Sequence, residues 1–318
     1  MNKLDYPYYN KCYKLNKKDV LKEIKAYKPI ILHKIPKELT KYNLERYDGI
    51  YFIIKEDYLK NAVINNITDY FSEIVRVKCE FANNISPYKY WNKNKKIIID
   101  KTKKKYGIVN VENLREIIYF NTKLCNNFRI TVALAVLHHF NPKKWLDISA
   151  GWGDRLLSAI FYKINLYVAT DPNLDLHPCY DEMINTFVSN TKKKNYIIHK
   201  SGFLEAPIKE SDFDIVFSSP PFFTLEKYSS FSENSVTKYT TEADWCNYFF
   251  IPSLIKAYNH LKLGGHFILY MGGSNYVMET MHKLDRIMDY KGIIYFYENK
   301  PRGMYVWKKI NANKIQVL

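Results

Sequence analysis

The sequence predicts an α/β fold in which a mostly parallel sheet is covered by helices on both faces, ends in an antiparallel hairpin, and is preceded by a basic α+β region. Three observations predict it. After Lys144 short apolar runs alternate with helical patterns, the signature of βαβ units with buried strands. The last two runs, at 293–298 and 304–308, are aromatic and joined only by Asn299-Lys300-Pro301-Arg302-Gly303, a turn short enough for a hairpin at the sheet's edge. The charge also divides along the chain: residues 1–144 hold 29 Lys or Arg against 14 Asp or Glu, whereas residues 145–318 hold 19 against 18. Three parts follow: a basic region at 1–110, a helical connector at 111–144 that packs on the core, and an α/β domain at 145–318.

In chain order, residues 17–26 read as a short helix, and 49–55 (GIYFIIK) and 74–81 (IVRVKCEF) as strands. Tyr90 and Trp91 then lead into a stretch around Ile97-Ile98-Ile99 that carries Lys93, Lys95, Lys96, Lys101, Lys103, Lys104 and Lys105. Basic residues interleaved with aromatics can contact phosphates and stack on bases. The same pattern fits a solvated edge strand guarded by lysines. Between 111 and 140 apolar residues recur at spacings of three and four, from Leu114 and Ile117 to Val136 and Leu137, as one or two amphipathic helices. Strands follow at 145–148, 166–170, 196–199, 213–217 and 266–271, with helices at about 154–162, 176–190, 241–261 and 276–290.

A hydrophobic content of 47% with 16% aromatic residues argues for a packed core. No apolar leader follows the first residues and no run is long enough to span a bilayer, so a cytoplasmic or nuclear protein of a host cell is expected, neither secreted nor in a membrane. The five cysteines are odd in number and scattered, which fits reduced thiols and neither a disulfide framework nor a metal cluster. Richness in Lys, Asn, Ile and Tyr suggests coding in an AT-rich genome such as that of a large DNA virus. Such coding also scatters lysines over a surface, but it does not explain why the second half is neutral. A polyanion explains both, because each cation near a phosphate releases condensed counterions.

Two motifs carry chemistry. Ser219-Pro220-Pro221-Phe222 closes the apolar run at 213–217; adjacent prolines fix φ and remove backbone donors, leaving carbonyls to accept from outside the fold, and Phe222 offers a stacking face. Asp147-Ile148-Ser149-Ala150-Gly151-Trp152-Gly153 runs from a strand end through a glycine turn into a helix, and Asp171 ends the next strand 24 residues after Asp147. In such sheets ligands lie beyond the strand ends, and an acidic residue at that place can accept from two ribose hydroxyls. The third glycine of a dinucleotide fingerprint is replaced by Leu156.

These segments resemble class I S-adenosylmethionine-dependent methyltransferases over residues 145–308. DISAGWGDR is similar to their first motif, Asp171-Pro172-Asn173 to their second, and Leu261-Lys262-Leu263-Gly264-Gly265-His266 to the turn before their fifth strand. The resemblance implies a seven-stranded Rossmann-like methyltransferase sheet and S-adenosyl-L-methionine as cofactor. It implies Asp147 near the amino group of the methionine moiety, Gly151 and Gly153 against that moiety with Ser149, Asp171 and Pro172 at the ribose, and Gly202 or Phe203 near the adenine. SSPPFF resembles the (Asp/Asn/Ser)-Pro-Pro-(Tyr/Phe/Trp) motif of amino-methyltransferases acting on bases, here in an SPPF form. The implied catalytic set is Ser219, Pro220, Pro221 and Phe222, with the Ser219 hydroxyl and the Pro220 carbonyl accepting the two hydrogens of an exocyclic amine and Phe222 stacking on the ring.

Competing chemistries fit less well. Cytosine C5 transfer needs a cysteine nucleophile after the fourth strand, whereas Pro178-Cys179 follows the second. Ribose methylation commonly uses an Asp where Ser218-Ser219 stand. The expected function is therefore methyl transfer to adenine N6 or cytosine N4 of DNA or RNA, with nucleic acid as partner and a homodimer or a viral partner protein left open. A cap-modifying enzyme, or an inactive nucleic-acid-binding subunit of the same fold, are the alternatives. The polar loop at 224–240 is expected to serve as a substrate lid, and Asp154, Arg155, Glu226, Lys227 and Tyr228 to shape the target pocket.

Overall fold

Apolar runs buried from both sides form the centre of the fold: Trp145, Leu146, Tyr167, Val168, Ile215, Val216 and Phe217 are all fully buried. The structure is a computed structural model that describes residues 5–35, 50–53, 61–82, 84–223, 226–228, 235–296 and 303–318. In chain order its strands are β1 (His33–Ile35), β2 (Ile50–Ile53), β3 (Glu80–Phe81), β4 (Lys144–Asp147), β5 (Leu166–Thr170), β6 (Tyr196–His199), β7 (Phe213–Ser218), β8 (Glu226–Lys227), β9 (Leu261–Met271), β10 (Met288–Phe296) and β11 (Gly303–Lys309). The main sheet runs β1-β2-β10-β11-β9-β7-β4-β5-β6. Within it β9, β7, β4, β5 and β6 are parallel, and β11 runs antiparallel to both β9 and β10.

The seven strands from β10 to β6 form the mostly parallel sheet with a C-terminal antiparallel hairpin that the sequence predicts. Helices cover both faces. Leu156, Leu157 and Ile160 of helix Asp154–Tyr162 share one apolar layer with Val132 to Leu137 of helix Ile130–Phe140. Trp245, Leu254 and Tyr258 lie in the layer on the other face. The expected helix at 241–261 contains a π turn at Cys246–Phe250 between helices Glu242–Trp245 and Ile251–His260.

The N-terminal residues share this core. Val20, Ile30, Ile64, Phe71 and Val75 belong to the same apolar cluster as Trp145 and Leu157, so packing crosses the divisions expected at 110 and 144. A separate cluster joins Tyr6, Val77, Trp91, Ile98, Leu114 and Ile118. β2 pairs parallel with β10, Ile294 opposite Tyr51, and β1 pairs antiparallel with β2. A hairpin edge that would otherwise present unpaired backbone groups is thereby covered. Of the strand expected at 49–55, residues 50–53 form β2 and the rest lie outside the described residues, as do 299–302 of the hairpin turn and 224–225 and 229–234 of the expected lid.

Two expectations are corrected. Residues 74–81 are not a strand: helix Asp69–Arg76 buries Phe71, Ser72, Val75 and Arg76 at helical spacing, leaves Ile74 44% exposed, and only Glu80–Phe81 is extended. Val75, Val77 and Cys79 look alternating because a helix ends and a turn begins between them. The lysine-rich stretch, for which an edge strand was the alternative to a nucleic-acid-binding segment, is helix Pro87–Tyr106, bent at Asn94. Ser86 accepts from Lys89 N at 3.3 Å, Pro87 occupies the first turn, and Gly107 ends the helix at φ 71°, start and stop signals readable in the sequence.

Trp91 is 1% exposed in the N-terminal cluster, so its ring packs protein and not bases. Trp91→Ala is expected to cost about 3–5 kcal/mol in chemical denaturation, as for other buried aromatics. A loss under about 1 kcal/mol would place the ring outside the core.

Candidate functional site

The site grows out of one strand pair. β4 and β7 lie side by side in parallel, Trp145 opposite Ile215, so their carboxyl ends release the segments 148–153 and 219–223 next to each other. The Trp145 ring stacks on Phe217 at 5.3 Å and its indole nitrogen donates to Phe217 O at 2.8 Å. Ser149 then links the two segments: its backbone N–H donates to Ser218 Oγ at 3.3 Å and its hydroxyl to Ser219 O at 3.0 Å. Toward β5, Ala150 N donates to Thr170 O at 2.8 Å and Gly151 N to Asp171 Oδ2 at 3.0 Å. A cavity of about 360 Å³ opens over these strand ends, where ligands of open α/β sheets bind.

One half of the cavity is built for a polar group beside a flat one. Asp171 accepts from Gly151 N and from Asn173 N at 2.9 Å, and Pro172 and Asn173 line the wall beside it. Burial pushes the Asp171 carboxyl up to about 6, against the opposing pull of the Asn173 amide, Tyr180 and the Gly151 amide. Gly202 and Phe203, which follow β6, line the same cavity, as do Tyr239 and Phe249. Lys256 holds this turn by donating to the carbonyls of Phe203, Leu204 and Ala206 at 2.7–3.0 Å. Gly153 is required for a different reason: its φ is +96° and a Cβ would meet Met183 at 2.7 Å, so it closes the turn into helix Asp154–Tyr162.

The predicted residues divide into those that line the cavity and those behind it. Ser149, Gly151, Asp171, Pro172, Gly202, Phe203, Ser219, Pro221 and Phe222 line it, whereas Asp147, Gly153 and Pro220 do not. Asp147 is fully buried: Oδ2 accepts from Arg155 Nε and Tyr167 OH, each at 2.8 Å, and Oδ1 from Ser149 N at 3.3 Å. Its charge therefore answers the Arg155 guanidinium, which also donates to Ser149 O and itself faces the cavity. None of the nine residues from Tyr90 to Lys105 lines the cavity. Lys93, Lys96, Lys101, Lys103, Lys104 and Lys105 are exposed on their helix, while Lys95 lies 5.2 Å over the buried Trp91 ring.

The other half of the cavity has a wall that sequence reasoning missed. It is made by Asn126, Asn127, Phe128 and Arg129, which connect helices Val111–Asn121 and Ile130–Phe140, together with Phe81, Trp152 and Tyr270. Phe128 meets Tyr270 edge-on at 5.5 Å, and Tyr270 meets Phe222 at 5.9 Å. β3 pairs antiparallel with β8, Glu80 opposite Lys227, tying the N-terminal region to the chain just beyond Phe222; Tyr228, which follows, lines the cavity and meets Trp152 at 5.7 Å. Asp154 closes this wall, accepting from Thr68 Oγ1 at 2.7 Å. The Gly-Trp-Gly turn held a signal for Trp152, but nothing in the sequence brought residues 126–129 to Ser219. Aromatic faces around a few fixed polar groups suit a planar heterocycle. Cys179, on helix His177–Phe187, is buried and its thiol is pushed up to about 11 by burial, so it supplies no thiolate at neutral pH.

No protein-family model matches the chain, and no curated protein matches it by sequence. Among solved structures it is similar to a methyltransferase from Pyrococcus furiosus at 16% identity and TM-score 0.41, covering 70% of this chain and all of that one. TrmN from Thermus thermophilus matches at 14% identity and TM-score 0.42, over 57% of this chain and 49% of that one. A TehB-like SAM-dependent methyltransferase from Corynebacterium glutamicum matches at 15% identity and TM-score 0.39, over 66% and 99%. These scores are low, and the chemistry of the site stands on its own side chains.

Burial pushes the Asp154 carboxyl up to about 7, partly countered by the Thr68 hydroxyl, against about 3.9 in an unfolded chain. Between those values the folded protein keeps a proton that the unfolded chain has released, so this group favours folding at low pH. Its contribution is lost as pH rises through about 7. Asp154→Asn, which cannot ionise, is expected to lose less melting temperature than the parent protein between pH 5 and pH 8. Equal losses in the two proteins would contradict this.

Proposed function

We propose that this chain transfers a methyl group from S-adenosyl-L-methionine to an exocyclic amine, adenine N6 or cytosine N4, of DNA or RNA. The observation that carries the reading is that Ser219, Pro221 and Phe222 line the same cavity as Gly151, Asp171 and Phe203. A nucleoside-bearing group fits the residues present. Asp171, anchored through two backbone amides, faces the cavity as an acceptor for ribose hydroxyls, and Phe203 with Phe249 and Tyr239 surrounds a flat ring. The Arg155 guanidinium suits the carboxylate of an amino-acid moiety, while Asp147, neutralised behind it, is a scaffold.

When bound, the cofactor supplies a methyl group already activated by its sulfonium. The protein has therefore to position the acceptor and exclude water more than to provide a strong base. Ser219 lines the cavity, where its hydroxyl would accept an amine hydrogen, while its carbonyl is committed to Ser149. Phe222, braced by Tyr270, supports the ring. Pro220 is buried outside the lining. The exposed lysines of helix Pro87–Tyr106 supply the charge expected of a polyanion-binding face, and a base within a duplex would have to be flipped out to reach the cavity.

Asp171 must be ionised to accept strongly from two hydroxyls. With its carboxyl near 6, cofactor affinity by calorimetry is expected to be about tenfold weaker at pH 5 than at pH 7.5, and Asp171→Asn to remove that step. A flat profile in the parent protein would remove Asp171 from the cofactor site.

The function itself is tested by incubation with labelled cofactor and separate DNA, RNA and capped RNA pools, followed by nucleoside mass spectrometry. Methyl-adenine or methyl-cytosine on one polymer is the expected product. Ser219→Ala is expected to lose on the order of 10²-fold in turnover with cofactor affinity retained, as when one oriented polar group is removed from an active site. Label on protein alone, or unchanged turnover in the variant, would sink the reading.

A further inference from the structure

Behind Asp171 stands a side chain that holds both the acid and the glycine turn. Gly151 and Asp171 line the cavity, and the backbone N–H of Gly151 donates to Asp171 Oδ2 at 3.0 Å. The carbonyl of the same glycine accepts from the Tyr180 hydroxyl. Both polar backbone groups of Gly151 are thus held, one by the acid and one by a tyrosine, at a φ of +58° that glycine adopts without strain. Tyr180 is 1% exposed and lies outside the cavity lining, with its ring edge-on to His177 at 5.3 Å.

His177 and Tyr180 belong to the first turn of helix His177–Phe187 and share one face, being three residues apart. His177 Nε2 lies 2.8 Å from Asp171 O, and a carbonyl only accepts, so that nitrogen carries the proton. One side chain of the turn therefore holds the main chain of Asp171, and the other reaches Gly151 and the Asp171 carboxyl. The Tyr180 hydroxyl has one proton and two acceptors in reach, the Gly151 carbonyl and the Asp171 carboxyl. Such a proton leans toward an acceptor that is charged. The other titratable groups around this carboxyl are engaged elsewhere: Asp147 on β4, which opposes its charge, is answered by Arg155, and Tyr167 on β5 donates to Asp147.

We infer that Tyr180 is a positioning residue of the cofactor site: its hydroxyl ties the glycine turn to Asp171 and keeps the carboxylate ready to accept from the ribose. This rests on the cofactor reading above and deepens it. Tyr180 touches no ligand and acts through Asp171. Without the hydroxyl the Gly151 carbonyl loses its donor, and burial raises the Asp171 carboxyl further, so protonation and loss of affinity set in at higher pH.

The test is calorimetry of S-adenosylhomocysteine with the full chain at pH 8.5 and pH 6.5. The parent protein is expected to lose less than about twofold in affinity between them and Tyr180→Phe about fourfold, the change that follows when one hydrogen bond holds the ionisation by about tenfold. Titration of the ligand's own amine affects both proteins alike and cancels in the comparison. Tyr180→Leu, which also lacks the hydroxyl, is expected to give the ratio of Tyr180→Phe, so that a folding defect in one variant leaves the other to decide. A general loosening of the site lowers affinity at both pH values and leaves their ratio, which is why the ratio is read. Retention of the parent ratio in folded variants overturns the assignment of Tyr180 alone. A parent protein that binds no S-adenosylhomocysteine at either pH removes the cofactor reading, and this inference with it.

Discussion

The parallel pairing of β4 with β7 is the constraint on which the site depends. Trp145 is the wedge: fully buried, stacked on Phe217 and bonded to its carbonyl, it sets the two strands against each other from within the sheet. Because both strands point the same way, the glycine turn and the Ser-Pro-Pro-Phe segment emerge at one end and Ser149 can lace them together. Interiors packed at crystal-like density transmit small changes, so a smaller side chain at Trp145 would be felt in the cavity some residues away.

Three carboxylates near that end have different fates, set by their neighbours. Asp147 is matched by Arg155 and Tyr167 and serves as structure. Asp171 is raised to about 6 by burial, while the two backbone amides that hold it oppose that rise and favour the ionised acceptor at neutral pH. Asp154 has a single hydroxyl donor from Thr68 and is raised further. The difference between Asp171 and Asp154 follows the donors available to each, since hydrogen bonds to a buried carboxylate oppose the rise that burial causes.

The N-terminal residues contribute as walls and edges to the sheet that follows them. β2 covers the hairpin strand β10, β3 holds β8, and the Asp69–Arg76 pair steadies the segment of Asn127 and Phe128. The cavity is therefore closed in part by residues, Phe81 and 126–129, that lie 90 positions or more from Ser219 in sequence. The exposed lysines of the N-terminal region stand on helix Pro87–Tyr106, whose inner face, Trp91, Ile98 and Thr102, is core, so one element carries both stability and charge on opposite sides.

Local chemistry was legible in the sequence. Apolar runs bounded by polar turns set the buried strand β5 and the half-buried edge strand β6 to the residue, and the glycine turn, Asp171 and Ser-Pro-Pro-Phe fall at strand ends where an α/β sheet puts its ligands. Residues 74–81 misled because alternation over a few residues is shared by a strand and by a helix end with its turn. Three things only the tertiary structure decided. Asp147 is held behind the cavity because the glycine turn brings Arg155, eight residues on at the start of the next helix, back against its carboxylate. Trp91 turned from stacking face to core because it falls on the same buried side of its helix as Ile98 and Thr102, seven and eleven residues on. The Asn127 wall arrived because long-range packing, which leaves no periodic mark in a sequence, brings helix Asp69–Arg76 against the loop before helix Ile130–Phe140.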